Sequence, residues 1–287
     1  MTERANQSPR RSTTDVDGHR MSYLHAGPPD APAVLLLHGL VSDSTTWSRA
    51  MTALTGHGLQ VVAPDLLGHG DSAKPTEGYA LDSFAAAGNQ LLERLGIERA
   101  TVVGHSYGGA VAMQLAHSYP GRAERLVLVA AGGLGRQVHP ILRVATLPGA
   151  QTVVRVLLNR QTASVYRAPR LHRTLRLSAD VVANLGRAGR GLSDPSGRAA
   201  FFATLDTAIR LSGQRGSMLE LDHVGLDLPT LIVWSQDDPV VPVAHAHATH
   251  AHLPHSRLEV FPGSTHQPHH HSAQRFADAV ADFISTT

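Results

Sequence analysis

Cysteine is absent from all 287 residues. That removes disulfide frameworks, thiol nucleophiles and thiolate metal sites together. Lysine is almost as scarce: Lys74 stands alone and every other strongly basic residue is arginine, a matter of composition rather than of function. A net charge of +2 is too small to argue for a nucleic-acid partner. No apolar run is long enough to cross a bilayer, so membrane insertion is not expected. Residues 1–18 are polar, carry Arg4, Arg10 and Arg11, and lack the apolar core of an export signal. They are expected to form a disordered tail, and without an export signal the cytoplasm is the default compartment.

What is present suits one large α/β domain, with 42% hydrophobic and 17% charged residues. Strand-like runs at residues 20–25, 33–37, 59–63, 100–103, 125–130, 230–234 and 257–261 alternate with helix-like segments at 45–54, 81–95, 107–118 and 272–284. This alternation predicts a mostly parallel central sheet flanked by helices. It breaks between residues 132 and 224, where arginine-rich amphipathic stretches are punctuated by Pro148, Gly149, Pro169, Gly191 and Pro195, with no strand pattern. The reading is a core formed by residues 19–133 and 225–287, with a helical cap inserted at 134–224. Such a cap would lie over the strand ends where these sheets bind ligands.

The sharpest chemical signal is Gly104-His105-Ser106-Tyr107-Gly108-Gly109, which follows a buried strand pattern and opens a helical one. A strand-turn-helix corner of this kind strains the backbone at the serine and lifts its hydroxyl above the sheet. Glycine flanks the serine because a Cβ would collide across so tight a bend. The helix N-terminus favours negative charge developing there. Ser106 therefore reads as a nucleophile, although a Gly-x-Ser-x-Gly string alone also occurs as an ordinary glycine-rich loop.

A serine needs a histidine to take its proton and a carboxylate to orient that histidine. Two further corners supply such groups: Asp237-Asp238-Pro239 after the strand at 230–234, and Thr265-His266-Gln267-Pro268-His269 after the last strand. With the His38-Gly39 loop and the turn from Asp65 to Ser72, these motifs resemble the α/β-hydrolase superfamily, of the esterase-like type with a helical cap. The resemblance runs from about residue 20 onward and is weak in the cap. It implies Asp238 as the acid, with Asp237 as runner-up, and His266 as the base, although Thr265 stands where the family usually has glycine. It also implies an oxyanion hole from the backbone N–H groups of Leu40 and Tyr107. Asp65, Gly68, Gly70, Asp71 and Ser72 read as turn chemistry.

The resemblance implies a serine hydrolase that cleaves a carboxylic ester or related acyl bond of a small-molecule acyl substrate, with no cofactor. C–C bond hydrolysis and cofactor-free perhydrolysis use the same triad, and a non-hydrolytic cyclase or binding protein is the alternative of another class. Serine at the elbow argues against relatives with an aspartate nucleophile, the haloalkane dehalogenases and epoxide hydrolases. Leu142, Val153, Leu157, Phe201, Phe202 and Leu205 of the cap suggest an apolar pocket, and the sequence leaves open which of them face inward. Residues 134–228 hold 13 arginines against 6 acidic residues, which suggests attraction to an acidic substrate or an acidic acyl carrier protein. Arginines solvating outer helix faces explain the excess more simply. The histidines at 245, 247, 250, 252 and 255, and those at 269–271, could be ligands, but no carboxylate is placed to complete a metal site and none is expected. His105 reads as a packed core residue, not a second base.

Overall fold

The computed structural model describes residues 8–157, 189, 191–215, 228–263 and 265–287. Ten strands fall within them. Eight form one sheet: β1 (Arg10–Val16), β2 (His19–Ala26), β3 (Ala33–Leu37), β4 (Gln60–Pro64), β5 (Ala100–His105), β6 (Ala123–Val129), β9 (Thr230–Ser235) and β10 (Ser256–Phe261). Their order is β1-β2-β4-β3-β5-β6-β9-β10. From β4 to β10 all pairings are parallel, while β2 is antiparallel to both β1 and β4.

Because strand side chains alternate, each buried strand feeds two cores. Leu35, Leu37 and Val102 point to one face and pack with Phe84 and Leu91 of α2 (Leu81–Arg94) and Val111 and Leu115 of α3 (Tyr107–Ser118). Val34, Leu36 and Val103 point to the other, against Met51 and Leu54 of α1 (Ser48–Gly56). Phe276, Val280 and Phe283 of the C-terminal helix (Ala273–Thr286) complete that second core. No helix among the described residues is long and apolar enough to cross a membrane.

Two expectations need correction. The tail expected over residues 1–18 is an ordered edge strand from Arg10 onward, paired with β2 from Arg10↔His25 to Val16↔His19; residues 1–7 lie outside the described part. The overlooked signal is Asp17-Gly18, where both residues take positive φ (51° and 73°), the two-residue turn that fits a right-twisted hairpin. Secondly, the stretch read as free of strands contains a short hairpin, β7 (Ile209–Arg210) and β8 (Gly213–Gln214). Two residues per strand are too few for alternation to register.

Between β6 and β9 the described chain forms α4 (Pro140–Val144), α5 (Ala150–Leu157) and α6 (Pro195–Ala208). Leu192, Phe201, Leu205 and Ile209 make a small core here, and Leu142, Val154 and Phe202 pack against it. Leu40 and Val41 of the loop after β3 join that cluster. Val153 is 57% exposed, so it is not a pocket residue. The side chain of Leu157 lies outside the described part.

A buried carboxylate ties the edge strand to the body. Asp65 accepts hydrogen bonds from Arg11 Nη1 (2.7 Å), Ser44 N (2.7 Å) and Asp71 N (2.9 Å). Ser72 Oγ donates to the Asp65 carbonyl (2.6 Å) and accepts from Ser22 N (2.9 Å). Gly70 sits at φ 49°, and a Cβ there would meet Asp65 Cγ at 2.4 Å. This is the turn chemistry expected of residues 65–72. Burial alone would raise the Asp65 carboxyl, but the hydrogen bonds from Ser44 and Asp71 outweigh it and hold the group below its ordinary 3.8. The folded value is the lower one, so this stability is complete above the unfolded value and is lost as pH falls through the folded value. Asp65→Ala strands a part-buried guanidinium and two backbone donors, and is expected to cost about 3 kcal/mol in urea titrations at pH 7. A stability equal to wild type would refute this account.

Candidate active site

Ser106 is the hinge between β5 and α3, with φ 52° and ψ −121°. A non-glycine residue at positive φ is strained, and strain persists only where the surroundings over-determine it. The turn is fixed by hydrogen bonds from Ser106 N to Val129 O (3.0 Å), and from Gly109 N (2.9 Å) and Gly132 N (2.8 Å) to Ser106 O. A Cβ on Gly104 would lie 2.2 Å from Gly108 O, which is the collision across the bend expected from the sequence. Gly108 is required for a different reason: its Cβ would lie 2.3 Å from Leu37 O, on the neighbouring strand.

The expected acid and base form a pair. Asp238 lies just beyond the end of β9 and His266 on the loop after β10. The His266 Nδ1 donates to Asp238 Oδ2 (2.9 Å) and Oδ1 (3.1 Å). The carboxylate is fully buried and His266 nearly so, at 0% and 16% side-chain exposure. Asp238 Oδ1 also accepts from Val240 N (2.7 Å) and Val241 N (3.0 Å), which fixes its rotamer. Asp237, the runner-up, is exposed. A carboxylate can only accept, so the proton sits on Nδ1 and the Nε2 lone pair of His266 is left as a base.

His105 bridges this pair to Ser106. It precedes Ser106, is 2% exposed, and its Nε2 lies 2.7 Å from the His266 carbonyl oxygen. Its ring centroid lies 4.9 Å from that of His266 and 4.6 Å from that of His269. Among the described residues Ser106 Oγ makes no hydrogen bond to His266; such contacts commonly tighten only with substrate bound.

The loop after β3 closes the other side. Gly39 packs so tightly that a Cβ would stand 2.9 Å from Ser106 Cβ. Val41, β-branched, takes φ 56° just beyond Leu40. His38 holds this loop: its Nε2 accepts from Leu66 N (3.0 Å) and its Nδ1 donates to Gly39 O (2.8 Å), which sets a neutral tautomer. The neighbouring His69 is pushed down to about 3 by burial, so it too stays neutral. Leu40, Ser106 and Tyr107 line one cavity of about 60 Å³ with Leu142, Ile209 and Val240. The Tyr107 hydroxyl, pushed up to about 12 by burial, remains protonated at its wall.

One wall residue left no trace in the sequence. Gln214, in the β7–β8 hairpin, accepts from Gly133 N (2.7 Å) and donates to Gln137 O (3.0 Å), tying the hairpin to the chain leaving β6. The histidine-rich segments hold no group of three metal-binding side chains among the described residues. His269 stacks on Trp47 at 4.1 Å instead.

A family model for the alpha/beta hydrolase fold matches residues 32–272. The chain belongs to the α/β-hydrolase family. An uncharacterised protein of Mycobacterium tuberculosis H37Rv is 40% identical to this α/β-hydrolase over 277 residues, spanning 95% of the chain and 80% of that protein. Among solved structures, an esterase from Rhodococcus sp. ECU1013 superposes with a TM-score of 0.70 at 26% identity, covering 97% of this chain and 98% of that one. A meta-cleavage product hydrolase from Pseudomonas fluorescens IP01 superposes with a TM-score of 0.73 at 23% identity, covering 96% and 97% of the two chains.

The elbow's intolerance of side chains is testable. Gly108→Ala drives a methyl into the β3 carbonyls, and overpacking of this kind is expected to cost about 3 kcal/mol. Thermal unfolding with a wild-type midpoint would show that the backbone yields more easily than the geometry indicates.

Proposed function

We propose that this hydrolase is a serine hydrolase that cleaves a carboxylic ester or related acyl bond. Ser106 attacks the carbonyl carbon, and His266 Nε2 takes the hydroxyl proton. Asp238 keeps His266 in the tautomer that can accept it. The developing oxyanion is held by the N–H groups of Leu40 and Tyr107, the second of which opens α3 and carries its positive end. His266 then returns the proton to the leaving alcohol. Water activated by the same histidine releases the acyl group and restores Ser106. The residues between β6 and β9 would act as a cap whose apolar side chains select the substrate. No step requires a cofactor.

The observation that carries this reading is a strained serine sharing one end of the sheet with a buried carboxylate–imidazole pair. Serine rather than aspartate at the elbow favours an acyl-enzyme over the alkyl-enzyme of epoxide-opening relatives. C–C hydrolysis by the same triad is the second reading. Against it, the loop His38-Gly39-Leu40-Val41-Ser42-Asp43 lacks the glycine-rich sequence expected of such enzymes.

A chain-length series of p-nitrophenyl esters tests the proposal. Wild type should turn over at least one member, and Ser106→Ala should lower kcat by roughly 10³-fold or more. Asp238→Asn, which leaves the imidazole in the wrong tautomer, should lower kcat by up to about 10⁴-fold with the fold intact. A fluorophosphonate should modify Ser106 and no other residue. Folded wild type inert to every ester and to the fluorophosphonate would sink the reading.

A further inference from the structure

Three parts converge at the proposed centre: the nucleophile elbow, the base loop and the loop after β3. One buried side chain touches all of them. His105 is covalently next to Ser106 and 2% exposed. Its Nε2 lies 2.7 Å from the carbonyl oxygen of His266, 161 residues away. On its other edge, the Cβ position of Gly39 would be 3.2 Å from His105 Nδ1. A carbonyl oxygen only accepts, so Nε2 carries the proton and donates it.

The loop after β10 needs such a support. Asp238 grips the His266 ring at Nδ1 and orients it, but a ring held only through its side chain can still travel with its backbone. The loop around it is otherwise secured within itself, as by Gln267 N to Thr265 Oγ1 (3.0 Å), and to the turn after β9, by Asp237 N to Gly263 O (3.3 Å). The bond from His105 joins the backbone of the base directly to the strand end that carries the nucleophile. Ring contacts at 4.9 Å to His266 and 4.6 Å to His269, with Trp47 edge-on at 6.4 Å, fix the orientation of the donor itself.

We infer that His105 is a positioning residue: the hydrogen bond from its Nε2 to the His266 carbonyl sets the separation of base and nucleophile. It transfers no proton and touches no substrate. This inference rests on the serine-hydrolase reading and adds to it a residue outside the triad and the oxyanion hole. Chemistry is sensitive to such placement, since a displacement of about 1 Å can cost on the order of 10²-fold in rate.

The test uses a pair of substitutions that separate the donor from the ring. His105→Gln keeps an N–H near the Nε2 position, and His105→Met fills similar space without a donor. Expected for His105→Met is a kcat lowered about 10- to 100-fold with KM within about two-fold, and Ser106 labelling by fluorophosphonate slowed in proportion. His105→Gln should recover most of that loss, whatever its effect on Tm. If the Met variant does not fold, His105→Asn takes its place, with the same amide one methylene too short to reach. Equal losses in the donor and non-donor variants, or wild-type kcat in a folded Met variant, would overturn the inference. A readout independent of catalysis is the ¹⁵N NMR signature of His105, which should show a proton on Nε2. A bare Nε2 overturns the tether even in an active enzyme. Wild type that resists the fluorophosphonate while His105 shows the protonated Nε2 overturns the serine-hydrolase reading and leaves the tether in place.

Discussion

The site depends on a backbone that would not adopt its shape by itself. Holding Ser106 at φ 52° costs on the order of 1–3 kcal/mol, and the sheet on either side supplies the restraint. Val129 O receives the Ser106 amide, and the Ser106 carbonyl receives amides from Gly109 and Gly132, so both peptide groups of the strained residue are locked. The glycines at 104, 108 and 39 are the spatial counterpart, each at a place where a methyl would overlap backbone or the serine itself. The hydroxyl is thereby presented by rigid elements, so little reorganisation is needed when charge develops.

Around this corner the histidines are sorted by what each nitrogen can meet. Asp238 and the His266 carbonyl can only accept, so they demand N–H groups from His266 Nδ1 and His105 Nε2. The Leu66 amide can only donate, so it demands a lone pair on His38 Nε2. His69, pushed down to about 3 by burial, adds no charge beside the loop after β3. In the proposed mechanism His266 becomes cationic during turnover. A charged neighbour at ring-contact distance would oppose that step in a low-dielectric interior.

Periodicity and turn chemistry made much of this legible. The strand at residues 33–37 and the helix beginning at Leu81 follow from apolar spacing, and the elbow from a motif whose glycines have a steric reason. Two misreadings share a cause. The hairpin of β1 with β2 hides in a polar sequence, Arg10-Arg11-Ser12-Thr13-Thr14-Asp15-Val16, because an edge strand buries few of its side chains and its turn signal, Asp17-Gly18, is only two residues long. The β7–β8 hairpin is shorter still. The role of Gln214 is a tertiary fact: nothing in its neighbours announces that its amide will cap Gly133. His105 looked like a core residue in sequence, and it is one, but its ring is turned towards a loop that sequence distance concealed.

On the proposed reading, the walls of the cavity at Ser106 are where selectivity would reside. On the sheet side they are elbow and backbone, Gly132, Gly133 and Ala110. On the opposite side they are Leu142, Ile209 and Arg215, contributed by the chain between β6 and β9. The same chain contributes Leu192 and Phe201 to a second cavity of about 310 Å³ beyond Val41, lined also by Asp43, Asp71 and Lys74. Leu40 and Val41 form the partition, packed in the cluster of Phe201 and Leu205. On the proposed reading, chemistry and selectivity are thus carried by different parts of the chain: substitutions at the partition and beyond β6 would reshape the substrate space while Ser106, His266 and the backbone around them keep their supports.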